Sequence, residues 1–324
     1  MAGAQPANLF DRFDVNPSVR EDLMDKIFNT DPDEVPVTTA IGRSTATNTY
    51  HEWQRDHLAT PNKDNAAIDG ADFFADALTP TERIGNYCQI FTKQPAVSRR
   101  ANVVKKAGQD TSMAYQKAKL IREIKRDIEA MLLSMNVAVA GNSTTPSKSA
   151  AFGAMIFTNI SSGVGGSTPA QTAGPQTAPP VAGTPRAFTE QLLKDVVQLA
   201  YTNSGEIPEM VVMSPNHKNI FSTFTGIAQT RYQVPKGEET RIIGGADVYM
   251  SNFGQLTIVP HYIMAGSTNV FLLNTDYASV AFLDGFRFRE MGPTGDSDKV
   301  LITADLCLRV NSERAMGKIA DLTP

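Results

Sequence analysis

The longest regular pattern in the chain is Thr111-Ser-Met-Ala-Tyr-Gln-Lys-Ala-Lys-Leu-Ile-Arg-Glu-Ile-Lys-Arg-Asp-Ile-Glu-Ala-Met-Leu-Leu-Ser-Met135. Its apolar residues recur at steps of three and four, which is the repeat of one helix face, and charged residues fill the opposite face. Thr111 and Ser112 are suitable N-cap residues, and Gly141 and Asn142 are typical of a helix end. The pattern predicts a helix over 111–140 that is roughly 40 Å long and acts as a strut.

Upstream of this helix, two strand-like segments flank a polar stretch. The first, 48–58, alternates aromatic and polar residues, and the second, 84–97, has a similar length. The residues between them are rich in turn formers but include Phe73, Phe74 and Leu78. The two strands predict a long hairpin, and because a lone hairpin is marginally stable in water, another chain should support it.

The first 45 residues are polar and interrupted by prolines, with one short amphipathic pattern at 17–29. Such a segment has too little apolar surface for a core of its own. It predicts an extended arm with a short helix that lies on something else, for example a neighbouring subunit.

Downstream, residues 141–186 consist mainly of Ser, Thr, Gly, Pro and Ala, which predicts a flexible surface loop with one ordered patch at 152–160. A compact mixed region follows. Its predicted helices are 188–201 and one that Ser214-Pro-Asn opens, and its predicted strands are 210–213, 247–251, 256–260, 269–273 and 277–283. Two further strands, 286–290 and 300–310, flank the turn Gly292-Pro-Thr-Gly-Asp.

Composition excludes several classes of protein. The chain has 324 residues, of which 41% are hydrophobic and 20% charged, as in a globular protein. Its net charge of -4 provides no global basic field for nucleic acid or an anionic membrane. We expect no secretory signal, membrane span or myristoylation. Cys88 and Cys307 lie far apart in apolar surroundings, so we expect two reduced, buried thiols and a cytoplasmic site of synthesis.

No motif for chemistry is complete. His51-Glu52 and His57 have the wrong spacing for a zinc protease helix, and a surface or interface role is favoured for both histidines. The glycine-rich stretches at 163–168 and 244–245 lack the lysine and the pattern of nucleotide-binding loops. Cys307 alternates with leucines, which favours a packed thiol over a nucleophile. A triad among the four scattered histidines stays open, although nothing indicates one.

The basic cluster Ser98-Arg-Arg-Ala-Asn-Val-Val-Lys-Lys106 precedes the strut helix. It is compatible with a solvated face, with ion pairs to an adjacent subunit, or with weak contact to nucleic acid.

The order of arm, hairpin, strut helix, compact α+β region and two long strands resembles the tailed-bacteriophage major capsid proteins of the Hong Kong 97 type. Local sequence resembles the subfamily of podoviruses with elongated heads. The resemblance lies in Ala46-Thr-Asn-Thr-Tyr-His-Glu-Trp-Gln-Arg-Asp-His-Leu58, Ile68-Asp-Gly-Ala-Asp72, Asn86-Tyr-Cys-Gln-Ile90, Ala96-Val-Ser98 and the pattern from Ala118 to Glu129. It covers most of the chain from about residue 38 and is strongest over 46–130.

The resemblance implies an α+β Hong Kong 97-like fold. Its parts would be an N-terminal arm (1–45), an extended E-loop hairpin (46–97), a peripheral domain (98–186 and 284–312) with the long spine helix 111–140 and the flexible loop 141–186, and an axial domain (187–283 and 313–324). It implies a structural subunit without a catalytic residue, cofactor or metal. The subunit would form pentamers and hexamers of a head shell around double-stranded DNA, with portal, scaffold and decoration proteins as partners. The shell would assemble in the host cytoplasm and form the virion capsid.

The candidate intersubunit contacts are the aromatic residues of the hairpin and two arginines of the basic cluster, because aromatic residues and arginine dominate interface energetics. They are Tyr50, Trp53, Phe73, Phe74, Phe91, Arg99 and Arg100. Some relatives join a loop lysine to an asparagine of a neighbour, for which Lys63 and Asn311 are candidates. The alternatives are another phage head protein, such as a minor head or decoration protein, a monomeric binding module, or a soluble hydrolase.

Overall fold

The computed structural model describes residues 27, 29–70, 78–108, 111–224, 247–292 and 295–324. Within them the helices are α1 (Pro36–Ala40), α2 (Arg99–Val103), α3 (Ser112–Leu132), α4 (Phe152–Met155), α5 (Glu190–Ser204) and α6 (Pro215–Phe221). The strands are β1 (Gly42–Thr45), β2 (Tyr50–Arg55), β3 (Glu82–Tyr87), β4 (Gln89–Lys93), β5 (Ala96–Ser98), β6 (Ile160–Ser161), β7 (Gly174–Pro175), β8 (Met210–Met213), β9 (Val248–Met250), β10 (Gln255–Pro260), β11 (Val270–Leu273), β12 (Ala278–Met291), β13 (Ser297–Val310) and β14 (Gly317–Ile319).

The strut helix predicted over 111–140 is α3, and it ends at Leu132. The prediction of its C-terminal end was wrong, because the residues that follow bond to other segments. Ser134 Oγ bonds back to the Met131 carbonyl, and the Ala138 amide donates to the Gln176 carbonyl. At 21 residues the helix is about 30 Å long.

The apolar face of α3 packs on a sheet built around the two longest strands. β12 and β13 pair antiparallel from Ala278↔Val310 to Met291↔Lys299, with bulges near Asp284. β1 lies parallel to β12, and β4 and β5 pair with β13. The two strands predicted at 277–283 and 286–290 are therefore one bulged strand. The predicted strand 84–97 is instead three strands, since β3 belongs to another sheet.

A second sheet forms the other half of the core, in the order β6-β14-β11-β8-β10-β9. The predicted helices and strands of this region are confirmed. Thr189 caps α5 by accepting from the Leu192 amide, and Gly205, with φ +75°, ends it. Ser214 caps α6 in the same way, with Pro215 in the first turn. The apolar face of α5 packs on this sheet with Leu193, Val196 and Val197 fully buried.

The ordered patch predicted at 152–160 is confirmed, since most of its residues are buried, but the prediction of a flexible surface loop for the rest of 141–186 was wrong in part. Ala150, Phe152 and Ile156 are fully buried in the core beneath α3. β6 joins the second sheet, and β7 pairs with β3. Because its buried residues mix alanines and glycines with polar side chains such as Gln171 and Gln176, the segment carries no apolar periodicity in its sequence.

The part of the arm that the structure describes lies on its own subunit from Pro36 onwards. Val37 and Ile41 are buried against α3 and β12. The backbone amides of Val37 and Thr38 donate to the carboxylate of Glu129 on α3. The short helix predicted at 17–29 lies almost entirely outside the described residues.

Candidate assembly surfaces

The connection between β2 and β3, residues 56–81, is here called the tip loop. Every described residue of the tip loop from Leu58 to Gly70 and from Leu78 to Thr81 is exposed. Three of them are large and apolar, with exposed fractions of 99% for Leu58, 80% for Ile68 and 92% for Leu78. Large apolar side chains that pack on nothing in their own subunit mark a surface for another chain.

The base of this hairpin is embedded in the subunit. β2 and β3 pair from Tyr50↔Tyr87 to Arg55↔Glu82. The buried Asn86 side chain donates to the carbonyls of Ala150 and Leu308, and its oxygen accepts from the Ala150 amide. A firmly held base therefore carries a tip loop that makes little contact with its own subunit.

Trp53 and Phe91 belong to the core of their own subunit, each with 7% of its surface exposed. Trp53 Nε1 donates to the Val310 carbonyl at 3.0 Å. We therefore revise the expectation that these two side chains anchor a neighbour. Strand alternation identified the buried face but did not distinguish burial by the same subunit from burial by another.

Tyr50 is half-buried and packs against Tyr87, with ring centroids 4.8 Å apart. Burial raises the pKa of Tyr50 above its ordinary value. Its ring leaves no space for a side chain at position 85, where a Cβ would lie 2.8 Å from the Tyr50 hydroxyl. Phe73 and Phe74, two other candidates, lie outside the described residues.

A second exposed apolar surface, the outer edge, is the half of β12 beyond Asp284. β1 pairs with β12 only from Ser279 to Phe282, so among the described residues the outer half has β13 on one side and no strand on the other. Its residues from Gly285 to Met291 are exposed, and they include Phe286 and Phe288. An open edge with aromatic side chains is suited to pairing with another chain.

The third surface, the axial edge, lies where β9 borders the second sheet. Val248 and Met250 of β9 are exposed, as are Leu199 and Tyr201 of α5. Tyr201 packs against Phe253, with ring centroids 5.0 Å apart. The outer edge and the axial edge were not among the sequence-based candidates, although the run Phe286-Arg-Phe-Arg alternates apolar and charged residues.

The basic cluster is exposed at the start of α2. Arg99 pairs with Asp296 at 2.8 Å, and both side chains are mostly in solvent. Arg100 is exposed as well. Lys106 contacts Ser112 at the start of α3. Part of the cluster therefore has partners within the subunit, and Arg99, Arg100 and Lys105 are all exposed to solvent.

Lys63 and Asn311, the candidates for a covalent link, are both exposed. Lys63 lies in a turn of the tip loop, and Asn311 follows the end of β13. The backbone N–H of Asn311 donates to the Tyr277 carbonyl at 2.8 Å. Among the described residues, no hydrogen bond of the Asn311 side chain is seen.

The histidines occupy structural positions. Ser214 Oγ lies 2.9 Å from His217 Nδ1, but both are buried, Oγ caps α6, and His217 Nε2 bonds the Thr323 carbonyl. His261 is buried against Glu129 at 3.1 Å. His51 lies beside Trp53, and His57 lies 3.6 Å from Glu82.

No cluster of three potential metal ligands occurs among the described residues. In that same part of the chain, no helix combines the length and apolar character of a membrane span.

The model of the family described as SU10 major capsid protein matches residues 5–323 of this chain. The chain belongs to the SU10 major capsid protein family. A curated relative, the major capsid protein of Escherichia phage Phieco32, is 34% identical over 103 residues. That alignment spans 32% of this chain and 29% of the relative, which is less than a third of the relative's length.

Solved structures share the fold of this family member at low sequence identity. The capsid chain of cyanophage A-1(L) has a TM-score of 0.63 at 12% identity, over 94% of this chain and 98% of that one. The capsid of the empty GTA particle has a TM-score of 0.59 at 12% identity, over 94% and 96%. The α+β fold expected from the sequence is thus confirmed as the fold of phage capsid chains.

Proposed function

We propose that this chain is the major structural subunit of a tailed-phage head, and that the tip loop lies across an adjacent subunit of the shell. The observation that carries the proposal is the high exposure of Leu58, Ile68 and Leu78 on a loop whose base packs into the core through Trp53 and Ile84. The proposed organisation is that of the Hong Kong 97 type, with the β2–β3 hairpin as E-loop and α3 as spine helix.

Burial of the three apolar side chains explains how the tip loop could bind a neighbour. A fully buried leucine or isoleucine gains about 1.5–3 kcal/mol relative to an exposed one. Part of that gain is offset by the cost of ordering a long loop. Because each subunit both gives and receives a loop in a closed shell, a weak contact repeated around the lattice yields a stable assembly.

The outer edge and the axial edge would supply the remaining contacts between subunits. The outer edge offers Phe286, Phe288 and the side of β12 that no described strand pairs with, and the axial edge offers Met250 and Phe253. We assign the axial edge to contacts within pentamers and hexamers, since β9 borders its sheet on the side away from β6. The arginines Arg99 and Arg100 are proposed for ion pairs between subunits or weak contact with packaged DNA.

Further partners of the subunit, namely the portal, scaffold and decoration proteins, follow from the proposed family organisation. A covalent link between Lys63 and Asn311 of adjacent subunits also stays a prediction. Denaturing electrophoresis of purified particles tests it, because linked subunits would migrate as a ladder that the Lys63→Arg variant lacks.

Negative-stain electron microscopy with sedimentation of the chain expressed alone tests the proposed function. We expect pentamers, hexamers, tubes or closed shells. The variant in which Leu58, Ile68 and Leu78 are all replaced by Ser should give smaller species at the same concentration. A folded monomer at all concentrations for both proteins, with and without a co-expressed scaffold protein, would contradict the proposal.

A further inference from the structure

Cys88 and Cys307 are distant in sequence but adjacent in the fold. β4 and β13 pair antiparallel up to Gln89↔Leu306, and one further step along both strands places Cys88 opposite Cys307. The two residues share a small buried cluster with Ala46 and Ala281, and their thiols interact directly. Both are free thiols in this structure.

The geometry of this pair is suited to a covalent bond. Directly opposed residues of an antiparallel pair have Cα atoms about 4.5–5.5 Å apart, which falls within the range of roughly 4.4–6.8 Å found in disulfides. The small side chains of Ala46 and Ala281 surround the two sulfur atoms. A disulfide therefore needs no large movement of the backbone.

We propose that Cys88 and Cys307 are an oxidation site, at which a hydroperoxide such as hydrogen peroxide converts the two thiols into an intrachain disulfide. The bond would join the base of the β2–β3 hairpin to the central strand of the long sheet. Under the proposed function, it would form after the shell leaves the reducing cytoplasm of the host.

The chemistry assigns different roles to the two sulfur atoms. A hydrogen bond from Cys307 lowers the pKa of Cys88, whereas the same hydrogen bond and burial raise the pKa of Cys307. Asp305 opposes ionisation of both cysteines, and Arg309 favours it at Cys307. Cys88 is therefore the sulfur that ionises first, and the thiolate is the form that reacts with a peroxide.

The reaction balances in two steps. The Cys88 thiolate attacks one oxygen of hydrogen peroxide, the O–O bond breaks, and the leaving hydroxide takes up a proton to form water. Cys307 then loses its proton and attacks the sulfur of the Cys88 sulfenic acid, which releases a second water and forms the S–S bond. The two sulfur atoms together supply the two electrons that reduce the peroxide.

Access to Cys88 is through the turn at 47–49. The Thr49 carbonyl accepts the Cys88 amide at 2.8 Å, and the Cys88 thiol contacts the Asn48 carbonyl at 3.7 Å. All three residues of this turn are exposed. Local opening of this exposed turn would therefore give a small uncharged oxidant access to the sulfur.

Intact-mass spectrometry of the full-length protein tests the proposal. The protein is treated with hydrogen peroxide, denatured, and alkylated without reduction. We expect the wild type to lose the mass of two hydrogens, to take up no alkyl group, and to migrate as a monomer on a non-reducing gel. Its Tm should rise by roughly 5–10 °C on oxidation and return after reduction.

Single variants separate the roles of the two sulfur atoms. In Cys307→Ser, Cys88 should accumulate as a sulfenic acid that dimedone traps, whereas Cys307 in Cys88→Ser should be trapped at least about ten-fold more slowly. Complete alkylation of both cysteines in the peroxide-treated wild type would overturn the proposal. So would conversion to sulfinic acid or a disulfide between two chains. None of these three results measures shell assembly, so the proposed function is tested separately.

Discussion

Nε2 of His261 lies 3.1 Å from the carboxylate of Glu129, and both side chains are completely buried. His261 Nδ1 accepts the amide of Ile263, which leaves Nε2 as the ring nitrogen that donates to the carboxylate. The same carboxylate accepts the amides of Val37 and Thr38. One carboxylate on α3 thus joins the arm, the strut helix and the segment that follows β10.

Replacement of Glu129 by Gln should destabilise the subunit. The amide nitrogen would face N–H donors that the carboxylate now accepts, and a buried unsatisfied donor is costly. We expect the free energy of unfolding to fall by about 2–4 kcal/mol in chemical denaturation. Glu123→Gln is the matched control, since Glu123 on the same helix makes only long ion pairs near the surface. An equal loss of unfolding free energy in the two variants would show that the buried hydrogen bonds of Glu129 contribute no more to stability than a surface ion pair.

Lys318 should make the free energy of unfolding increase with pH, whereas alkaline pH ordinarily lowers it. Its Nζ is fully buried and donates to the Gly153 carbonyl at 2.5 Å and to Thr168 Oγ1 at 2.7 Å. Burial lowers its pKa from 10.5 to about 8. Between these two values the unfolded chain binds the proton that the folded chain has released. The free energy of unfolding should therefore rise with pH across this window, by about 3 kcal/mol for this group alone.

The measurement for Lys318 is the difference between wild type and Lys318→Met, since other groups titrate in the same range. Tyr249, whose pKa burial raises to about 12, acts in the opposite direction at higher pH and is common to both proteins. The wild type should become more stable relative to Lys318→Met as the pH rises from 8 to 10.5. A constant difference would mean that Lys318 titrates normally.

His217 should make the fold sensitive to acid. Burial lowers its pKa below the usual 6.5, because the charged imidazolium loses its hydration, and the hydrogen bond to the Thr323 carbonyl offsets only part of this effect. The unfolded chain therefore binds a proton more readily, and stability present above pH 6.5 is lost as the pH falls below it. Thermal melts of wild type and His217→Asn should converge as the pH is lowered from neutral. A difference in Tm between the two proteins that stays constant at all pH values would refute this role of His217.

The three apolar residues of the tip loop should affect assembly and leave the fold unchanged. Because Leu58, Ile68 and Leu78 are exposed, replacing all three with Ser should alter the free energy of unfolding by less than about 0.5 kcal/mol. The assembled fraction, measured by sedimentation, should fall at least about ten-fold. Trp53→Ala is the contrasting variant, because it removes a buried ring and should cost about 3–5 kcal/mol of stability. A large loss of stability in the triple variant would contradict this assignment.

Much of the fold could be predicted because regular elements carry a period. α5, α6 and the strands β8 to β11 follow from apolar repeats and capping residues such as Ser214 and Gly205. The end of α3 could not be predicted. The apolar residues in 133–140 are compatible with a longer helix. The chain leaves the helical path there because it contacts the segments around Gly153 and Gln176. Such long-range contacts cannot be predicted from the local sequence.

The candidate site was harder to predict than the fold. Aromatic residues at strand positions suggested an interface, but Trp53 and Phe91 lie in the core of the subunit. The exposed apolar residues of the tip loop stand singly among polar residues, so no repeating apolar pattern identifies them in the sequence. The adjacency of Cys88 and Cys307 depends on the register of β4 with β13, which neither strand specifies alone.

Hydrogen–deuterium exchange of residues 58–70, compared between assembled particles and dissociated subunits, tests the role of the tip loop most directly. The segment is exposed in the subunit, so its amides should exchange rapidly there. We predict that assembly slows their exchange at least about ten-fold, while the buried strand β8 exchanges equally slowly in both states. Equally fast exchange of 58–70 in particles and in subunits would contradict the assignment of the tip loop to a contact between subunits.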